Sequence, residues 1–164
     1  MKIMKYKTSR GWRNNNPLNI KKGEPWQGLC QEQNDKVFCQ FINKTWGYRA
    51  AAKCLKSYYR YVTQDRDGRL TWDVPFIITR WAPQSENDSL AYCRRVLELM
   101  GREPDNYRLA PLYSPNGKYQ IKLLAAAMTC VECGCPMSAV PVRELNAGFT
   151  LAGIGGAPLE PLSN

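Results

Sequence analysis

The spacing of apolar residues changes near residue 45 of this chain of 164 residues. Before that point, turn sequences such as Asn16-Pro17 punctuate the chain, and two short runs, 27–32 and 36–41, are rich in strand-forming residues. The Gln-Asn-Asp sequence at 33–35 lies between the runs and would close a hairpin. The first quarter of the chain therefore predicts a small antiparallel β-hairpin or sheet.

After residue 45 the apolar positions follow a helical period. The pattern predicts a helix from near Thr45 to about Asp65, a shorter one around residues 74–81, and further helices at 85–101, 119–133 and from about residue 142. Asn87 or Asp88 would cap the third of these helices. A small sheet followed by four to five helices is an α+β fold.

The length of the chain suits one domain with a single core. We expect that domain to cover residues 10–150, between a basic leader at 1–9 and a loose C-terminal tail at 151–164. The leader lacks the apolar core of a signal peptide, and no apolar run is long enough to span a bilayer. We therefore expect synthesis in a cytoplasm and no membrane partner; action elsewhere would need export or release by another agent.

The charged and reactive residues limit the possible chemistry. The net charge of +9 favours anionic partners or simply a solvated basic face, but without a dense basic arm we do not expect nucleic acid to be the partner. The sequence contains no histidine, which excludes a Ser-His-Asp triad, a Cys-His pair and a histidine-ligated metal. Acid–base chemistry must use carboxylates, Lys, Tyr or Cys.

Seven cysteines cannot all pair within one chain, and we expect free thiols. Three of them form the pattern Cys130-x-x-Cys133-x-Cys135. A structural zinc needs four ligands, and the fourth would have to come from a distant cysteine. We interpret the three as thiols at the end of a helix and predict no metal or cofactor.

The string RGWRNNNPLNI (10–20) is the most unusual feature of the sequence. In one interpretation, its asparagines bind the hydroxyl and N-acetyl groups of a glycan, and tryptophans present flat faces to the sugar rings. In the other, the asparagines form Asx turns and left-handed positions that shape a loop. Both interpretations stay open for the candidate binding residues, which are Trp12, Asn15, Asn16, Asn19 and Trp26.

This string, together with EPWQGL, FCQFINKTWGYRAAAKCLKSYY and IITRWAPQSENDSLAYCRRV, resembles a family of phage-derived proteins from phages, prophages and gut bacterial genomes. Members of that family are labelled virion structural proteins or endolysins. The resemblance covers about residues 10–150. It implies that the chain has other virion proteins as partners and is virion-associated or released at host lysis.

A second resemblance suggests a mechanism. Residues 15–21, 26–28 and 38–41 are similar in order and spacing to motifs of lysozyme-like wall glucosaminidases, whose catalytic glutamate precedes these motifs. No carboxylate precedes them here, but AAAMTCVECG (125–134) looks like the glutamate-bearing helix end of lytic transglycosylases, with Glu132 in the matching position. The resemblance implies a lysozyme-like fold arranged as a circular permutation.

Glu132 is thus the candidate general acid, because an apolar helix end would desolvate its carboxyl group and raise the pKa. A single acid suits a lytic transglycosylase, in which, as the resemblance implies, the 6-hydroxyl of the substrate attacks. Glu24 is a second candidate carboxylate, Tyr92 a candidate groove residue, and Glu86 a structural residue at a helix start. Joint action requires Glu132 to lie within about 10 Å of the asparagine loop.

The sequence as a whole predicts a protein that binds peptidoglycan or another glycan and cleaves the glycan strand as a muramidase, glucosaminidase or lytic transglycosylase. The alternative is a virion structural protein of phage or prophage origin that keeps the fold without catalysis. The missing glutamate ahead of the asparagine string favours the alternative, and the position of Glu132 favours the enzyme.

Overall fold

The computed structural model describes residues 4–85 and 88–164, and its architecture is helical. The α-helices are α1 (Arg10–Arg13), α2 (Lys44–Tyr58), α3 (Val74–Trp81), α4 (Ser89–Leu99), α5 (Pro115–Cys133) and α6 (Val142–Leu151). Single 3₁₀ turns occupy Lys5–Thr8, Tyr59–Tyr61 and Met137–Ala139. Within the described residues only isolated β-bridges occur, so the predicted α+β fold with an N-terminal β-hairpin or sheet is wrong.

Side chains explain why the expected hairpin does not form. Asp35 accepts hydrogen bonds from the backbone N–H groups of Val37 and Phe38, each at 2.9 Å. Gln33 and Gln40 bind backbone groups of this segment, including the Gln40 N–H, which donates to Gln33 Oε1 at 2.8 Å. These bonds occupy groups that a strand ladder would use, so only the bridges Lys21–Phe38 and Leu29–Phe41 remain.

The helix ends follow local sequence signals. Asn43, Asp73, Asp88 and Ser114 each accept a backbone N–H at a helix start. The alternative cap Asn87 and the structural candidate Glu86 lie outside the described residues. At the end of α5, Gly134 has a φ of 72° and donates its N–H to the Cys130 carbonyl. This ending places Glu132 in the last turn of α5.

Helix α5 is buried for most of its length and packs on α1, α4 and α6, while α2 packs mainly against α6. None of the helices in the described ranges is both long and apolar enough to cross a membrane. The backbones of α2 and α6 approach closely at Gly148, where a methyl group would lie 2.5 Å from the Thr45 carbonyl oxygen. The helix pair depends on this small residue.

The variant Gly148→Ala should therefore be destabilised, because α6 must move away from α2 to admit the methyl group. We expect a loss of about 1–3 kcal/mol, or about 3–10 °C in Tm. Gly155→Ala is the matched control, since a methyl group there meets no atom within 4 Å. Equal thermal melts for the two variants would contradict the close approach.

The C-terminal segment is packed on the core, in contrast to the loose tail expected from the sequence. Ile154 and Leu159 are buried, and the Asn146 side chain exchanges two hydrogen bonds with the Leu159 backbone. Lys122, a buried residue of α5, donates from Nζ to the carbonyl oxygens of Gly155 at 2.9 Å and Ala157 at 2.6 Å. A buried charge on α5 thus holds this segment in place.

Candidate functional site

Three separate segments meet at the Glu132 carboxylate. Asn19, in the loop after α1, donates from Nδ2 to Oε1 at 3.0 Å, and Tyr92 of α4 donates its hydroxyl proton to Oε2 at 3.1 Å. Glu132 is only partly exposed, in the last turn of α5. The distance between Asn19 and Glu132 is well inside the limit for joint action. We call Glu132, Asn19 and Tyr92 the Glu132 cluster.

Burial raises the pKa of Glu132, and the hydrogen bonds from Asn19 and Tyr92 oppose this rise by stabilising the carboxylate. Burial and the neighbouring carboxylate also raise the pKa of Tyr92 well above its ordinary value, so its hydroxyl stays a donor. The result is a carboxyl group that keeps its proton to a higher pH than a solvated glutamate. Such a group can act as a general acid.

The backbone of the asparagine loop uses left-handed conformations at Asn15 and Asn19, with φ values of 52° and 54°. Asparagine tolerates this region better than most residues, so the interpretation as loop-shaping positions explains these two. A methyl group at Gly11 would lie 2.8 Å from Asn19 Oδ1, so glycine there leaves room for the Asn19 amide. Asn19 therefore shapes the backbone and also binds Glu132.

The other asparagines are turned inward. Asn16 is fully buried; its Nδ2 donates to the carbonyl oxygens of Ile20 and Cys39, and its Oδ1 accepts from the Ile20 N–H. Asn14 is also buried and binds the side chains of Asp35 and Gln40. The sugar-binding prediction for Asn16 finds no support in this placement, because its amide is occupied inside the loop.

Lys44, which the sequence did not mark as a site residue, contacts both Asn15 and Trp12. Lys44 donates from Nζ to Asn15 Oδ1 at 3.0 Å and lies 4.5 Å from the centroid of the Trp12 ring. Burial lowers the pKa of Lys44. Trp12 also packs edge-on against Tyr6. Both predicted binding residues are therefore partly used in internal contacts, and no local pattern marks Lys44 in advance.

An open cleft of about 470 Å³ lies beside the cluster, with Asn19 in its wall. Two of the predicted candidates, Trp26 and Glu24, also line this cleft, which we call the Trp26 cleft. Tyr58, Arg80 and Trp81 complete much of the wall. The sequence does not single them out, because Trp81 falls at the helical spacing typical of a packing residue, and neither Tyr58 nor Arg80 carries a separate signal.

The cysteines at the end of α5 are free thiols in the structure. Cys130 Sγ lies 3.9 Å from Cys135 Sγ, whereas Cys133 Sγ donates to the Pro17 carbonyl oxygen at 3.4 Å. Within the described residues no group of three or more histidine, cysteine or carboxylate side chains is arranged to hold a metal ion. Cys133 instead links α5 to the asparagine loop.

Two substitutions of Asn19 should separate its roles in the backbone and in the cluster. Asn19→Gly keeps the left-handed conformation but removes a hydrogen bond that lowers the pKa of Glu132, so that pKa should rise further. Asn19→Ala removes the same bond and adds a backbone cost of about 1–2 kcal/mol.

We therefore expect Asn19→Gly to melt above Asn19→Ala, while a carbon-13 NMR titration of Glu132 shows a raised pKa in both. An unchanged Glu132 titration in Asn19→Gly would contradict the hydrogen bond.

Comparisons with known proteins point to a phage. No family model matches the chain. Protein P5 of Pseudoalteromonas phage PM2 is 38% identical to it over 106 residues, a match that covers 62% of this chain and 61% of the phage protein. The chain is similar to a phage protein. It spans about three-fifths of the length of that curated relative, and the similarity supports a phage-derived origin.

Proposed function

We propose that this chain binds peptidoglycan or a related glycan and cleaves the glycan strand, with Glu132 as the general acid. The observation that carries the proposal is the Glu132 cluster: a partly buried carboxyl group with a raised pKa, hydrogen-bonded by Asn19 and Tyr92 beside an open cleft. The proposal rests on this site and is independent of the fold class.

The chemistry needs a proton at the glycosidic oxygen and a nucleophile at the anomeric carbon. Protonated Glu132 would supply the proton. Glu24 is a carboxylate in the wall of the Trp26 cleft, and it could activate water if the strand lies along that wall. Without such a base, the 6-hydroxyl oxygen of the sugar would attack the anomeric carbon as the bond to the protonated leaving oxygen breaks. The Glu132 carboxylate would then accept the hydroxyl proton, and the sugar would keep an anhydro end. Trp26 and Trp81 would contact sugar rings, and Asn19 would orient the acid.

The second candidate is a virion structural protein without turnover, which would bind other virion proteins and enter the virion or be released at lysis. The similarity to a phage-encoded protein is compatible with this role. A direct measurement distinguishes the two candidates. The enzyme would release soluble fragments from purified wall material, and the structural protein would not.

The test is digestion of purified peptidoglycan across about pH 4 to pH 9, with soluble products identified by mass spectrometry. Because the acid works only while protonated, activity should fall as the pH rises through the pKa of Glu132. Tyr92→Phe removes a hydrogen bond that lowers this pKa, so the fall should move to higher pH. Wall binding without any released fragment, at every pH, would favour the structural role.

A further inference from the structure

Helix α2 and the 3₁₀ turn that follows it carry a row of basic residues. Arg49, Lys53, Lys56 and Arg60 are spaced by four, three and four positions, which places them along one side of the helix. At 1.5 Å per residue the row is roughly 16 Å long. We call these four residues the cationic strip.

The strip borders a groove that begins at the Glu132 cluster. The Trp26 cleft shares Glu24 and Trp26 with a neighbouring cleft of about 250 Å³, whose wall also includes Arg49 and Lys53. Lys53 in turn lines a third cleft, of about 410 Å³. That cleft is completed by Lys56, Ser57, Tyr59, Arg60 and Tyr113. Each cleft shares wall residues with the next, so the three lie side by side from Asn19 to Tyr113, and we call this line of clefts the groove.

No ion pair in the described part of the chain neutralises the positive charge of the strip. Across residues 4–85 and 88–164, the ion pairs join Arg10 to Asp35, Arg95 to Glu98 and Arg108 to Asp65, and none includes a residue of the strip. Lys56 donates to the Ala152 carbonyl oxygen, while the Arg49 and Arg60 side chains lie over neighbouring aromatic rings. Glu24 is the carboxylate in the groove wall.

We infer that the cationic strip binds the acidic substituents of a long glycan strand, such as the carboxylates of stem peptides, while the same strand reaches Glu132. This inference rests on the proposed function and names the part of the substrate that the strip recognises. A strand that follows the groove would present its substituents to a row of four cations. The exposed ring of Tyr113 offers a flat apolar contact at the far end.

Nucleic acid is also an anionic polymer and could occupy the same strip. The acidic glycan is favoured because the groove wall at the Asn19 end carries the Glu24 carboxylate, which repels a phosphate backbone, and the Trp26 and Trp81 rings, which offer flat faces to sugar rings. The two polymers can be compared directly in one experiment.

The experiment measures binding with Glu132→Gln as the background, so that turnover does not consume the ligand. Purified glycan strands with native stem peptides are compared with the same strands after their carboxylates are converted to amides. Lys53→Gln combined with Arg60→Gln removes two charges from the strip. The matched control is Lys36→Gln combined with Arg94→Gln, which removes two exposed charges elsewhere.

We expect the strip variant to bind native strands about tenfold more weakly than the control variant, with a smaller dependence on salt. The difference should disappear with amidated strands. Equal binding of both variants to native strands would overturn the inference, as would single-stranded DNA displacing the glycan with a larger loss in the strip variant. Binding is measured without cleavage, so the two failures can be told apart. If the wild-type protein releases no fragments while the strip variant still shows this binding pattern, the proposed cleavage is refuted and the role of the strip stands.

Discussion

Glu132→Gln should reduce the release of soluble glycan fragments by about 10²–10⁴-fold, because a positioned general acid contributes that much to the rate. Glutamine has nearly the same shape, and its amide can still accept from Asn19 and donate to the Tyr92 hydroxyl oxygen. The expected loss therefore comes from the missing proton and not from a collapsed site. The measurement is the initial rate of fragment release, with Glu160→Gln as an exposed carboxyl control.

The stability of the same variant separates lost chemistry from lost folding. Burial raises the folded pKa of Glu132, so the folded protein holds this proton more tightly than the unfolded chain does. Stability conferred by the proton is present at low pH and declines as the pH rises through the folded pKa. Glutamine has no proton to lose, so Glu132→Gln should melt at or above the wild-type Tm at neutral pH. An active Glu132→Gln protein would remove Glu132 from the mechanism.

Lys122→Met should produce a large loss of stability, about 2–4 kcal/mol, or roughly 6–14 °C in Tm. Methionine keeps most of the apolar stem but cannot donate to the carbonyl oxygens of Gly155 and Ala157, each of which accepts a charge-assisted bond from Lys122. Both carbonyl groups would lose their donor, and the C-terminal segment would lose the two hydrogen bonds that tether it to α5.

Lys36→Met is the control, because Lys36 is exposed. Amide hydrogen exchange should locate the effect, with faster exchange across residues 153–160 in the Lys122→Met protein than in the control. If both variants melt together and exchange alike over this segment, the tether contributes nothing to stability.

The helices could be predicted from the sequence because their apolar period and capping residues are local signals. The helix expected from Thr45 begins at Lys44, and the one expected at 119–133 runs from Pro115 to Cys133. The hairpin prediction was wrong because composition favours strands but does not show where polar side chains bind. Asp35, Gln33 and Gln40 take up backbone groups that a sheet would pair, and this depends on their three-dimensional positions.

The candidate site was predictable only in part for the same reason. Glu132 could be named because residues 125–134 resemble the glutamate-bearing helix end of lytic transglycosylases, and Tyr92 and Asn19 were named for a groove. The sequence does not show how α4 and the loop after α1 pack against the end of α5, so the two hydrogen bonds to Glu132 were not predictable from it. Arg80 and the cationic strip could not be assigned to a site from the sequence, because only the structure shows that they line clefts that share wall residues.

The tether from Lys122 also sets an order of events during synthesis. Helix α5 leaves the ribosome before its buried ammonium group has acceptors, because these are the carbonyl oxygens of residues 155 and 157. Until that part of the chain emerges, the nascent protein carries an unpaired charge where its core must close. The hydrogen bonds of the buried Lys122 are therefore completed only after residue 157 has been synthesised, whereas Glu132 meets its partners Asn19 and Tyr92 earlier.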